Sequence, residues 1–570
     1  MARVRGDFAL IPGMTPGLLA HGHTRILWNA APTAPVSTHS DANGCALILG
    51  DALRPGEACR VDARAVLNDW LEPMSAVPAT YDGLYVAIAV RGGEIALGGD
   101  LLGLAPIVHA APGPVRLAGS SSGLFALHPL FEDLLDVRGL FGHLLTGGPF
   151  DGRTLRTGVT RMGAGRLLRW SGYAPPQERS HYDASGADSD GMPDFETALE
   201  RYDGVLHQAV RRHSAGHAHV SLLLSGGRDS RLLGGFTLRD RHLHQAFTLG
   251  VPSDHDAMFA ASVARALGTS HRTHDVPFSA FSRHADRSIS AELLSGGMSN
   301  VHTWEGADAL AGTGGGLLSG YLLEARQIAP LPQTVAGMLE WTHAHAMTPE
   351  HLRRLVRPHL RPLVDETTEA IERAVHAMGT EECSNERSWR WVLATYARFH
   401  PGAVPWRYSS AAWPILPVLD HVFLQTVQAM SPAWLDSRRM QDAVLRCRFP
   451  RLARLPLDRN GNDVRPLLSS PLHRLHGAFE RTLAARRAHT VERRFYARMY
   501  DFDNSGWQLI RASAEPGRER MAEWFDLAAL ARVLPTAGQS RALADPIADG
   551  FGPKMLTGFM RALAMGVIRA

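Results

Sequence analysis

Six residues near the middle of the chain, Ser225-Gly226-Gly227-Arg228-Asp229-Ser230, combine what is needed to hold a phosphate chain. Gly226 and Gly227 lack Cβ atoms, so backbone N–H groups can approach an anion closely there. Ser225 and Ser230 add hydroxyl donors. A carboxylate repels phosphate, so Asp229 makes sense as a ligand of a Mg²⁺ that neutralises it. Two elements must hold such a loop. The apolar residues 220–224 before it predict a buried parallel strand. The run after it predicts a helix that turns its N-terminus, the positive end of its dipole, toward the anion.

The whole chain sets the frame. At 570 residues, 45% hydrophobic and 20% charged, it is expected to form two or three globular domains. A net charge of +3 gives no global nucleic-acid signature, and Lys554 is the only lysine among the basic residues. The 4 cysteines, Cys45, Cys59, Cys383 and Cys447, fit no zinc spacing and predict a reduced, cytoplasmic protein. The first residues lack an apolar signal core, and no apolar run reaches the roughly 18 residues of a membrane span.

Residues 1–184 read as short strands broken by Gly and Pro, and the small, acidic residues 185–194 read as a linker. From Phe195 to the end, residues 195–570, helical stretches alternate with a few buried strands, at 220–224, 246–249 and 316–318. An Ala-rich helix is expected over 256–267, with Asp254 or Asp256 near its start, and the chain beyond about 330 is expected to be mostly helical. That alternation predicts a parallel α/β sheet with its ligand at the carboxyl ends of the strands.

The Ser-Gly-Gly-x-Asp-Ser pattern resembles the pyrophosphate-binding PP-loop of ATP-pyrophosphatases such as the asparagine synthetases. Further segments between about 80 and 460 resemble the same superfamily. Tyr81-Asp82-Gly83, Gly99-Asp100 through Pro106, and Arg161-Met162-Gly163-Ala164-Gly165 are similar, in order, to motifs of class II glutamine amidotransferase domains. Phe247-Thr248-Leu249-Gly250 resembles the strand that flanks adenine, and Ala260 through His271 the helix after it. Ser319-Gly320-Tyr321-Leu322-Leu323-Glu324 resembles a second phosphate and metal loop. Pro414 through Asp420 and Asp436 through Pro456 resemble later core segments.

The resemblance implies an Ntn-hydrolase-like αββα sandwich over 1–184, followed by a PP-loop synthetase domain with a helical C-terminal part. It implies ATP and Mg²⁺ as cofactors. The nucleotide would be held by Leu224, Ser225, Gly226, Gly227, Asp229, Ser230, Thr248, Leu249, Ser319 and Gly320, and the metal by Asp229 and Glu324. Glu324 stands where the family has Asp. Tyr321 stands where β-lactam synthetases have a Tyr in proton transfer, and serves either as a base or as a packing residue. The family's adenylate-stabilising lysine is missing, which leaves Arg459 or Lys554 as the cation. Asp420 reads as structural support, and the His302/Glu305 pair as a local hydrogen bond. Trp413 and Ile415 replace the family's Glu and Arg, so the wall that reads a free amino acid is lost.

These departures make the chain most similar to a lasso peptide macrocyclase. Such an enzyme adenylates a side-chain carboxylate of a precursor peptide and closes an isopeptide ring with the peptide's amine. The implied partners are the precursor peptide, a leader-peptide-binding protein and a leader peptidase, with neither nucleic acid nor membrane. A small-molecule ligase of the β-lactam synthetase or ammonia-dependent asparagine synthetase type shares the same ATP chemistry, and a non-catalytic scaffold is the remaining alternative. In the family's glutaminases the nucleophile is a cysteine exposed by removal of Met1, whereas here Ala2 follows Met1. Amide hydrolysis of that kind needs the thiol. Incubation with glutamine is therefore expected to release no ammonia; release above a no-enzyme control would contradict this reading of the first domain.

Overall fold

A computed structural model describes residues 13–71, 79–172, 174–183, 194–240, 243–278, 306–307, 309–310, 315–323, 334–377, 385–458, 464–469, 495–536 and 552–568. The N-terminal part is antiparallel. Its strands are β1 (Thr15–His21), β2 (Thr24–Ala30), β3 (Val36–Ser40), β4 (Cys45–Gly50), β5 (Tyr85–Arg91), β6 (Glu94–Gly99), β7 (Val108–Ala110), β8 (Leu117–Gly119), β9 (Val159–Arg161), β10 (Arg166–Ser171) and β11 (Gln177–Ser180). Six of them form one sheet in the order β11-β10-β6-β5-β4-β3, and three form a second, β8-β7-β9.

Period-two alternation sorts the side chains between layers. Ala46, Ile48, Ala87 and Ala89 face helix α1 (Ala63–Leu71), where Trp70 and Leu67 cover them. Leu97 and Leu168, on the opposite face, pack with Ile107 and Met162 of the second sheet's edge segments. Val108, Ala110 and Val159 in turn cover Phe125 of the 3₁₀ turn Ser122–Leu127. The expected helix–sheet–sheet–helix layering is thus present, with its last layer reduced to that short turn. The sandwich motifs Tyr81-Asp82-Gly83 and Gly99-Asp100 lie at strand ends, where the Asp100 carboxylate accepts from the backbone N–H groups of Leu102, Leu104 and Ala105.

The second half holds a five-stranded, all-parallel sheet in the order β14-β13-β12-β15-β16. Its strands are β12 (Val220–Leu223), β13 (Leu243–Leu249), β14 (Ser270–His274), β15 (Gly316–Leu318) and β16 (Trp413–Ile415). Val220, Leu222, Ala246, Phe247, Leu317 and Leu318 are buried, as covered parallel strands require. From β12 the chain steps outward through β13 and β14, then returns to the other side of β12 for β15 and β16. The switch point therefore lies between β12 and β15, the place where such sheets bind ligands. The helices around the sheet are α2 (Val137–Thr146), α3 (Phe195–Ser214), α4 (Arg228–Asp240) and α5 (His255–Leu267), with a series of helices from Val335 onward. The Asp194 carboxylate caps α3 by accepting from the Thr197 N–H at 2.8 Å, so the last linker residue starts the next element. Among the described residues no helix is long and apolar enough to cross a membrane.

A buried arginine near the end of α3 ties the two halves together. Arg212 donates to the carbonyls of Glu57 and Arg54, both at 2.8 Å, to the Asp82 carboxylate at 2.9 Å, and to the Asp420 carboxylate. Asp420 in turn caps the helix His421–Gln428 by accepting from the Phe423 N–H, which bears out its structural reading. Burial pushes the Asp82 carboxyl up, and Asp420 beside it adds to the effect. Burial works the same way on Asp420, but His213, 3.5 Å away, and the charge of Arg212 reverse it, and its pKa is lowered. Arg212→Leu would leave two buried carboxylates without their shared cation. Breaking such a pair costs about 3–5 kcal/mol. Urea unfolding at neutral pH is expected to show a loss of that order, and a loss below about 1 kcal/mol would contradict the role of Arg212.

Candidate active site

The loop after β12 is built as the sequence predicts, from strand to glycine turn to helix. The Leu224 N–H donates to the Phe247 carbonyl at 2.8 Å, which extends the parallel ladder to the edge of the turn. The Ser230 hydroxyl accepts from the Ser225 N–H at 3.0 Å and lies 3.1 Å from the Ser225 hydroxyl. Ser225 Oγ also accepts from the Gly227 N–H at 3.2 Å. These bonds curl the loop so that its donors gather ahead of α4, whose first turn carries Asp229 and Ser230. A Cβ on Gly226 would come within 3.0 Å of the Phe259 ring and 3.2 Å of Asp458 Cβ, so the turn admits little beyond glycine there.

Neighbouring strands fix the flanks. The Thr248 hydroxyl donates to the Leu224 carbonyl at 2.6 Å, and having spent its one proton it must accept from His271 Nε2 at 2.8 Å. That assigns the His271 tautomer with the proton on Nε2. Leu249, at the end of β13, is buried in the large core cluster that also holds Tyr408. On the other side of β12, the Ser319 N–H continues the β15–β16 ladder by donating to the Ile415 carbonyl at 3.1 Å. Gly320 then lies against the start of α4, where a Cβ would sit 2.7 Å from Asp229 Cβ. The absent side chain at 320 is what lets the two loops meet at the switch point. Leu224, Ser225, Gly226, Gly227, Asp229, Ser230, Thr248, Leu249, Ser319 and Gly320 thus form one neighbourhood. Tyr321 follows at its rim, half-buried between the two largest core clusters, and Leu322 after it is left-handed at φ 58°.

Other candidates fall elsewhere. Lys554 lies in the helix Gly552–Ala564, 5.8 Å over the Trp507 ring, and its charge helps to lower the pKa of buried His400. Neither Trp507 nor His400 belongs to the loop. Trp413 and Ile415 are buried in β16, so they act as core strand residues. Glu324, Arg459, His302 and Glu305 lie outside the described residues.

Several residues that sequence reasoning passed over shape the site. Arg231, fully buried, donates to four carbonyls, those of Leu452, Leu455, Gly226 and Pro456, at 3.0, 3.1, 3.2 and 2.5 Å. Burial, with Arg228 nearby, lowers its pKa to about 10, so it remains charged at neutral pH. Asp229 has both oxygens engaged: Gln441 Nε2 donates to Oδ1 at 2.7 Å and Arg438 Nη1 to Oδ2 at 2.9 Å. Asp256 accepts from the Gly226 N–H at 3.0 Å. Asp254, one of the two residues expected near the start of α5, takes the N-cap position and is paired with Arg498.

Phosphate fits this donor set. The turn offers two hydroxyls and the N-terminus of α4. Its N–H groups at Ser225, Gly226 and Gly227 are held by Ser230 Oγ, the Asp256 carboxylate and Ser225 Oγ, so one of them already binds an anionic group, and Arg438 and Arg228 stand beside it. Mg²⁺ fits Asp229 provided that Arg438 or Gln441 yields an oxygen. Residues 201–304 match the family model described as asparagine synthase. That segment, which carries β12, the loop, β13 and β14, is similar to a family of ATP-dependent amide-forming ligases. A comparison with curated proteins finds no match.

Burial raises the Asp256 carboxyl to about 6; the Gly226 N–H opposes this, and Asp458 and Asp254 add to it. Its folded pKa lies above the ordinary carboxyl value of 3.8, so the folded state favours the protonated form. The cost of ionising it is absent at low pH, grows as pH rises, and is complete above about 6. Asp256→Asn keeps an acceptor for Gly226 and removes the charge. It is expected to stabilise the fold by about 3 kcal/mol at pH 7–8, with the gain gone below about pH 3. Denaturation across pH checks this, and an equal effect at every pH would contradict it.

Proposed function

We propose that the chain is an ATP-dependent ligase that adenylates a side-chain carboxylate of a precursor peptide and closes an isopeptide ring with the peptide's own amine. The observation that carries the ligase part is the convergence of the Ser225–Ser230 turn, which lies in the segment similar to asparagine synthase, with Gly320 at the switch point of a parallel sheet. In the first step a carboxylate oxygen bonds to the α-phosphorus of ATP. The bond from that phosphorus to the α–β bridging oxygen breaks, and pyrophosphate leaves. In the second step the amine nitrogen bonds to the carbonyl carbon, the bond to the AMP oxygen breaks, and the nitrogen loses a proton to a base. Mg²⁺ at Asp229 would offset charge on the departing pyrophosphate. The turn's hydroxyls and the N-terminus of α4 hold the phosphates, and the C-terminal end of β13 flanks the adenine.

The peptide part rests on Trp413 and Ile415, whose place in the buried strand β16 leaves no charged pair there to grip a free amino acid. A folded peptide instead brings amine and carboxylate together by its own shape, and proximity of that kind supplies much of the rate. The first domain then serves as a structural or docking unit. Among the described cysteines Cys45 is buried in β4, where burial raises its thiol pKa, while Cys59 and Cys447 are exposed. A leader-binding protein and a leader peptidase complete the proposed partners.

Tyr321→Phe tests the reading. ATP–pyrophosphate exchange with a precursor peptide should survive, because the phenol is not needed to hold the nucleotide. Cyclic product should fall by about 10²–10⁴-fold, the usual loss of a general base. Normal cyclisation would make Tyr321 a packing residue. Turnover of a free amino acid by the unaltered chain, with no peptide present, would instead support a small-molecule ligase.

A further inference from the structure

The family's adenylate-stabilising lysine has no counterpart near Arg459, yet a cation does stand at the site. Arg438 is neither of the two cations that the sequence offered. It precedes the helix α6 (Arg439–Arg448), in a kink where Ser437 and Arg438 both take left-handed backbone, φ 52° and 62°. L-residues adopt that conformation reluctantly, and two in succession are held by their surroundings. The kink aims the guanidinium at Asp229 Oδ2, 2.9 Å away, and one turn later Gln441 takes Oδ1 at 2.7 Å. The Arg438 and Asp229 side chains are only partly covered, at 26% and 19% exposed, so the pair faces the site and is not sealed in the core.

Two demands now meet on one carboxylate. Asp229 is the best-placed metal ligand of the site, and a metal needs an oxygen that Arg438 presently fills. A guanidinium loses little by exchanging a carboxylate for a phosphate, since its planar fork matches both. We propose that Arg438 is the triphosphate cation of this site: it pairs with Asp229 as the structure has it, and passes to the β- and γ-phosphates when Mg·ATP arrives and the metal takes up Asp229. One side chain then serves twice. It holds Asp229 in place without the metal, and it neutralises the leaving pyrophosphate with it. Gln441 keeps Asp229 oriented throughout. The inference rests on the nucleotide reading of the loop, but not on the identity of the carboxylate substrate.

Titration calorimetry of the full chain with α,β-methylene-ATP and with AMP, each in excess Mg²⁺, tests it. Arg438→Ala should weaken the triphosphate analogue at least tenfold and leave AMP within about twofold, because AMP lacks the phosphates that Arg438 would contact. Arg438→Lys, which keeps the charge and loses the fork, should recover most of the affinity. If Arg438→Ala does not fold, Arg438→Gln carries the same test. Equal weakening of both ligands would make Arg438 a purely structural residue, and unchanged affinity for the analogue would overturn the proposal outright. Neither readout needs a peptide, so a chain that binds the analogue as expected and yet forms no cyclic product refutes the peptide reading alone.

Discussion

The site depends on a buried guanidinium with no carboxylate among its four bonds. Arg231, on the first turns of α4, binds Gly226 of the loop and three carbonyls between Leu452 and Pro456. Turn and exit segment are thereby fixed to one another, and the Asp458 N–H adds a second tie by donating to the Gly226 carbonyl at 3.0 Å. Carbonyl dipoles offset the desolvation of the charge without neutralising it, so a positive field stays next to the loop. That field suits a loop whose ligand is an anion.

The same device recurs where the two halves join. Arg398 donates across the join to the carbonyls of Gly103 and Met162, while Arg161 gathers those of Gly103, Ala105 and Ile107 within the N-terminal half. Arg212 spans two carbonyls and two carboxylates. A planar fork with five donors can gather several carbonyls at once, which a lysine's point charge cannot do as well. In a chain with a single lysine, the arginines act as internal staples, and the N-terminal sandwich is bound to the parallel sheet through them.

The fold was legible where periodicity is strong. The strands at 220–223 and 316–318, and the helix His255–Leu267, lie where apolar runs and the Ala-rich pattern put them, and the strand expected at 246–249 begins three residues earlier, at Leu243. β16 was not, because a three-residue strand containing Pro414 carries no alternation to read. The loop itself was legible, since glycine and hydroxyl content there follows from the chemistry. Its partners were not. Arg231, Asp256, Arg438 and Gln441 reach the loop from up to 212 residues away, and no local pattern reports such contacts. For Arg438 the one signal was the polar run Asp436-Ser437-Arg438-Arg439 before an amphipathic helix, which marks a helix start and gives no direction.

The central claim is that the phosphates of ATP sit on the Ser225–Ser230 turn. A crystal structure of the full chain with Mg²⁺ and α,β-methylene-ATP tests it most directly. The account predicts the β- and γ-phosphates on the hydroxyls of that turn and the N-terminus of α4, with the adenine against the end of β13. A nucleotide bound elsewhere, with Asp256 still on the Gly226 N–H and Asp229 still held by Arg438, would contradict it.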